Sequence, residues 1–148
     1  MAITASRNLA WQTEPGSGTL NIEATNTTVF YRGGFYMLNT TTGYAAAPAD
    51  TSGYLWLGIC GRQVTGDTGA SPVAKVEIIT GPLILTYYPV TGASAITNQG
   101  TLVYVTDNAT LTTSATSNTK AVGYILKWHV STNCDVYILS PEASRALN

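Results

Sequence analysis

A chain of 148 residues with a formal charge of −1 has material for one domain with its own core, and no charge excess with which to hold nucleic acid or an anionic membrane. Only 10% of its residues are charged, against an average of about 25%, and 24 threonines and 14 glycines fill the polar fraction. A neutral, hydroxyl-rich exterior does little to keep molecules apart, so the composition predicts an oligomer.

Residues 1–28 contain few apolar anchors. Trp11, Leu20 and Ile22 are spaced too widely for one strand face, and Glu14-Pro15-Gly16-Ser17-Gly18 reads as a turn or hinge. We expect an extended N-terminal arm over 1–28, the alternative being a first strand packed on the body. Trp11 would be the arm's anchor on a partner or neighbouring subunit, with Leu20 and Ile22 as lesser contacts. The first residues lack the apolar centre of a signal peptide, and no run approaches the roughly 18 residues of a membrane span, so the expectation is a soluble protein made in a cytoplasm.

Residues 29–38 (VFYRGGFYML) predict two short aromatic strands, or one broken at Gly33-Gly34; 39–53 is loop-like, with Pro48 and Asp50 breaking any helix its alanines begin. Residues 54–60 (YLWLGIC) are apolar on both faces, as expected of a central strand between two layers. A turn cluster follows at 66–72. Along 73–79 Val73, Lys75, Glu77 and Ile79 alternate with Ala74, Val76 and Ile78, which predicts a half-exposed strand. Gly81-Pro82 interrupts it, and 83–88 reads as a bent or edge strand.

From 96 to 126 the pattern is strand, turn, strand, polar run, strand. Leu102, Tyr104 and Thr106 alternate with Val103, Val105 and Asp107; Asp107-Asn108 supplies a turn; Leu111 resumes a threonine-rich strand; 114–120 is polar; and 122–126 is a further strand. A turn at 131–133 leads into a last strand over 134–139. Pro141 stops it, leaving 141–148 as a short tail. With turn signals this frequent and no helix of normal length, the fold class is all-β, about eight to ten strands in a single barrel or sandwich-like domain over 29–140.

Chemistry-bearing residues are scattered. His129 is the single histidine and reads as structural. Asp50, Asp67, Asp107 and Asp135 adjoin turns, where aspartate bonds its own backbone, and no carboxylate pair indicates acid–base work. No serine lies in G-x-S-x-G, and the glycines at 58–61 and 66–69 lack the helix and lysine of a phosphate loop. The Asn26, Asn39 and Asn108 sequons reflect abundant threonine. Cys60 and Cys134 have no metal-spaced neighbours and are expected as buried, reduced thiols. Neither a cofactor nor a metal is expected.

The order of elements Gly58-Ile59-Cys60-Gly61, Val76-Glu77-Ile78-Ile79-Thr80-Gly81-Pro82, then 98–105 (NQGTLVYV), Leu111-Thr112-Thr113, Val122-Gly123-Tyr124-Ile125-Leu126 and Val136-Tyr137-Ile138-Leu139 resembles the capsid decoration, or cement, proteins of tailed bacteriophages. The resemblance covers about residues 54–139. It implies a β-barrel or β-tulip body, a homotrimer on local three-fold positions of an icosahedral shell, and the major capsid protein as partner. It further implies a place on the outer capsid surface of the virion and no enzymatic activity. A carbohydrate-binding or adhesive β module, its tyrosines and tryptophans stacking on sugar rings, is the alternative.

Overall fold

The computed structural model of the chain describes residues 2–67, 69–70, 73–115 and 120–147. Part of the turn cluster expected at 66–72 and of the polar run at 114–120 lies outside the described residues. In chain order the strands are β1 (Trp11–Thr13), β2 (Gly18–Glu23), β3 (Val29–Phe30), β4 (Phe35–Asn39), β5 (Ala45–Ala46), β6 (Tyr54–Cys60) and β7 (Val64–Thr65). They continue as β8 (Lys75–Thr80), β9 (Leu83–Thr91), β10 (Leu102–Val105), β11 (Leu111–Thr112), β12 (Ala121–Val130) and β13 (Asn133–Ile138). Helix α1 (Pro141–Leu147) ends the described chain.

Two sheets share the core. β9, β11, β10, β12 and β13 pair in that order, and β13 pairs back onto β9, so these five strands close into a barrel with β1 added along β9. The second sheet runs β2-β8-β6-β4-β5, and an Ala24–Ala45 bridge joins its two margins at one corner. β3 and β7 form a separate small ribbon. The all-β class and barrel architecture expected from the sequence are present.

The strand apolar on both faces takes the position its sequence requires. β6 is the middle strand of the open sheet; Trp56 and Ile59 enter a large cluster shared with the barrel, while Leu57 and Cys60 enter a second cluster with Phe30, Tyr36, Val76 and Ile78. Cys60 and Cys134 are buried free thiols in different clusters, and burial pushes the Cys60 thiol up to about 11. The β10–β11 hairpin and the β12–β13 hairpin also follow the reading of 96–139, and β10 further pairs with β12.

Three expectations are refined by the structure. The extended N-terminal arm is not confirmed: β1 pairs with β9 through Trp11–Leu85, and all six residues of β2 pair with β8. Of the bent and edge alternatives for 83–88 only the first holds: β9 is bulged at Tyr87, and it is no edge strand, since it lies between β13 and the β1–β11 side and closes the barrel. The tail at 141–147 is a helix, because Ser140 Oγ accepts the Ala143 N–H at 3.2 Å, Pro141 takes the first position, where its missing N–H does no harm, and Ser144 is buried against Ala121.

Residues 2–10 hold the N-terminus down as a strap across the junction of barrel and sheet. The Ile3 N–H donates to Asn108 Oδ1 at 2.8 Å, the Arg7 N–H to Arg32 O at 2.9 Å and Arg7 Nε to Gly33 O at 2.9 Å. The guanidinium lies 5.3 Å from the Phe35 ring centre and 5.2 Å from that of Tyr88, so one cation is shared by two aromatic faces. Gly33 makes this approach possible. Its φ is +80°, and a Cβ there would stand 2.6 Å from Arg7 O.

The strap rests on the β10–β11 turn, which is held by one carboxylate. Asp107 accepts the Ala109 and Thr110 N–H groups, each at 2.8 Å, and the Thr110 hydroxyl at 3.1 Å. Burial works to raise the Asp107 pKa, but the Ala109 and Thr110 bonds outweigh it and the pKa is lowered. A depressed carboxyl pKa contributes stability that is complete above the unfolded value of about 3.9 and is lost as pH falls through the folded one. Asp107→Ala is therefore expected to lower stability by about 2 kcal/mol near neutral pH. Urea titrations across the acid range check this: the gap from the parent protein should close as pH falls below the ordinary aspartate range, and a gap independent of pH would refute it.

Candidate functional site

Register alone assembles an outward-facing, half-exposed apolar row on the barrel. Leu102 of β10 lies opposite Tyr124 of β12, Tyr124 opposite Tyr137 of β13, Tyr137 opposite Ile84 of β9, and Ile84 opposite Gln12 of β1. Directly opposed residues project to the same side of a sheet. The neighbouring row of Val103, Ile138 and Leu83 is fully buried, so the Leu102–Tyr124–Tyr137–Ile84 row faces outward. It crosses four barrel strands at about 4.8 Å per step. The two tyrosine rings stack with centres 5.1 Å apart and planes 22° apart. Leu126, two residues beyond Tyr124, is also exposed. The row contains no charged side chain.

A second aromatic feature lies near one end of β12. β9 bulges opposite Asp135, placing Tyr87 at φ +55°, where its N–H donates to Asp135 Oδ1 at 3.0 Å. The Tyr87 ring stands 5.2 Å from His129, whose Nε2 is 2.9 Å from the same carboxylate oxygen. Burial works against ionised Asp135, but the Tyr87 N–H, His129 and Lys127 prevail and lower its pKa. Tyr87 is 52% exposed, a ring fixed in place and presented to solvent. His129 is thereby a half-buried partner of Asp135, in keeping with a structural role.

A depression of about 610 Å³ is shallow and open, lined by Ser6, Arg32, Gly61, Arg62, Gln63 and Glu77. Arg62 Nη2 lies 3.8 Å from Glu77 Oε2, a loose exposed ion pair, and Ser6 Oγ donates to Gln63 at 2.7 Å. Among the described residues no three His, Cys, Asp or Glu side chains are grouped to hold a metal. Nor is any described helix long and apolar enough to cross a membrane.

The three contact residues read from the sequence are divided by the fold. Trp11 is half-buried and packs on the main cluster from β1. Leu20 and Ile22 share one face of β2, Ile22 packing on the second cluster and Leu20 remaining 40% exposed. The tyrosine row escaped sequence reasoning because it is built from single outward residues of separate strands; Tyr124 and Tyr137, each inside an apolar run, were its faint signal. Asn108, part of a sequon in the sequence, is buried at 8% exposure, and its Nδ2 lies 3.4 Å from Tyr36 Oη. No protein-family model, no curated protein and no solved structure matches this chain.

Proposed function

We propose that the chain is a structural virion protein that decorates and stabilises an icosahedral phage capsid, binding as a homotrimer to the major capsid protein lattice on the shell's outer surface and carrying no catalytic role. The observation that supports this reading is the uncharged Leu102–Tyr124–Tyr137–Ile84 row on a closed barrel. Closure makes the barrel a rigid support, and half-exposed aromatic rings bury large apolar area with little loss of side-chain freedom. A trimer would bring three such rows to the lattice, each later contact forming at high effective concentration. Because the bound form requires an intact shell, binding shifts the balance away from disassembly.

The test is co-sedimentation with undecorated phage shells. Replacing Tyr124 and Tyr137 together by alanine is expected to weaken binding by about 2 kcal/mol or more per subunit, roughly 30-fold, while the chain stays folded. Unchanged saturation by the double variant would overturn the assignment of this face. Tyr87, displayed over His129 and Asp135, favours a second reading as a carbohydrate-binding or adhesive module. Glycan binding that depends on Tyr87, without binding to shells, would establish that reading instead.

A further inference from the structure

Among the described residues β2 is the longest strand with a partner on one side only. The Ala24 N–H donates to Ala74 O at 2.9 Å and the Gly18 N–H to Thr80 Oγ1 at 3.1 Å, so even-numbered residues point their backbone groups at β8. The Thr25 N–H points the other way, to Ala45 O at 3.2 Å. Thr19 and Asn21 therefore direct their N–H and C=O groups to the open margin, and Glu23 its N–H, the Glu23 carbonyl lying at the corner where the Ala24–Ala45 bridge closes.

Natural proteins blunt such margins with proline, lysine, bulges or a covering element. β2 (GTLNIE) has neither proline nor lysine, and its register with β8 runs without a shift. Its one charge, Glu23, lies 4.0 Å from Lys75 Nζ, so the margin carries no net repulsion. The second core cluster also reaches the surface here: Leu20 and Ile22 lie opposite Ile78 and Val76, and Leu20 is 40% exposed.

We propose that β2 pairs antiparallel with β2 of a second copy of this chain about a two-fold axis at Asn21. That register sets Asn21 against Asn21 of the second copy and Thr19 against its Glu23. All three pairs join outward-directed backbone groups, and with the Glu23 carbonyls already engaged by the Ala45 bridge they give about four hydrogen bonds. Between them Leu20 meets Ile22 of the second copy, twice by symmetry, which extends the second cluster across the join. The two Glu23 carboxylates face threonines rather than each other. A one-residue shift would set the backbone groups out of phase, so the self-complementary register is selected by parity as well as by side chains. The contact is small beside the roughly 800 Å² per partner of a standard interface, so it forms and breaks with concentration. It leaves the tyrosine row free and does not depend on the capsid reading.

The experiment is native mass spectrometry and sedimentation of the full chain over a concentration series, beside Asn21→Pro and Leu20→Lys. Proline at 21 removes an outward-facing donor and leaves the bonds to β8 in place. The parent is expected to reach twice the mass of Asn21→Pro and to fall to it on dilution, whether the smaller unit is a monomer or a trimer. Leu20→Lys should act the same way, so the proposal is still tested if the proline variant does not fold. Amide exchange at Thr19, Asn21 and Glu23 should slow with concentration in the parent. Equal masses for parent and variants, doubling that survives both folded variants, or exchange at these amides independent of concentration would each overturn the proposal.

Discussion

Deleting residues 1–28 is expected to abolish cooperative unfolding of the remaining chain. The truncation removes β1 from β9 and β2 from β8. It withdraws Arg7 from between Phe35 and Tyr88 and takes Leu9 and Trp11 off the main cluster and Ile22 and Ala24 off the second. It also strips Asn108 of its bonds to Ile3. Losing a single large apolar contact costs about 2–5 kcal/mol, and a domain this size has only about 5–15 kcal/mol in all. Several such losses at once exceed that margin. Thermal and urea unfolding of the truncated chain, followed by near-ultraviolet circular dichroism, should show no sharp transition. A transition close to that of the full chain would restore the free arm read from the sequence.

Leu20, Ile22 and Ala24 do alternate with Thr19, Asn21 and Glu23, the period of a strand, but a margin strand buries so little that four of its six residues are exposed. Trp11 serves a different cluster from Leu20 and Ile22, so a search for one shared face finds none. Arg7 between two rings is a contact across 28 and 81 positions of chain, which no local pattern announces. By contrast β6 was legible because a strand buried on both sides must be apolar throughout, and the β10–β11 hairpin because alternation and Asp107 agree locally. Ser140-Pro141-Glu142 carried a legible helix start that the strand-stopping sense of proline obscured. The tyrosine row lies beyond local reading altogether, since it exists only through the pairing of distant strands.

Trp56→Ala is expected to be the most damaging single substitution in the open sheet, lowering stability by about 3–5 kcal/mol. Trp56 is 1% exposed and stands where β6 meets the barrel, its ring centre 6.2 Å from that of Phe35. Its Nε1–H donates to Leu139 O at 3.0 Å, tying the open sheet to the link between β13 and α1. Packing and hydrogen bonding can be separated. Trp56→Phe keeps most of the volume but leaves the Leu139 carbonyl without this donor, for which a loss of about 1–3 kcal/mol is expected. Because the main cluster draws residues from both the sheet and the barrel, including Met37 and Trp56 on one side and Val103 and Val136 on the other, the barrel has no large cluster apart from the sheet, and the sheet keeps only the smaller second cluster. Both variants should therefore keep one unfolding transition, shifted to lower urea with an unchanged slope. Two separate transitions in Trp56→Ala would show instead that the barrel and the open sheet are independent folding units.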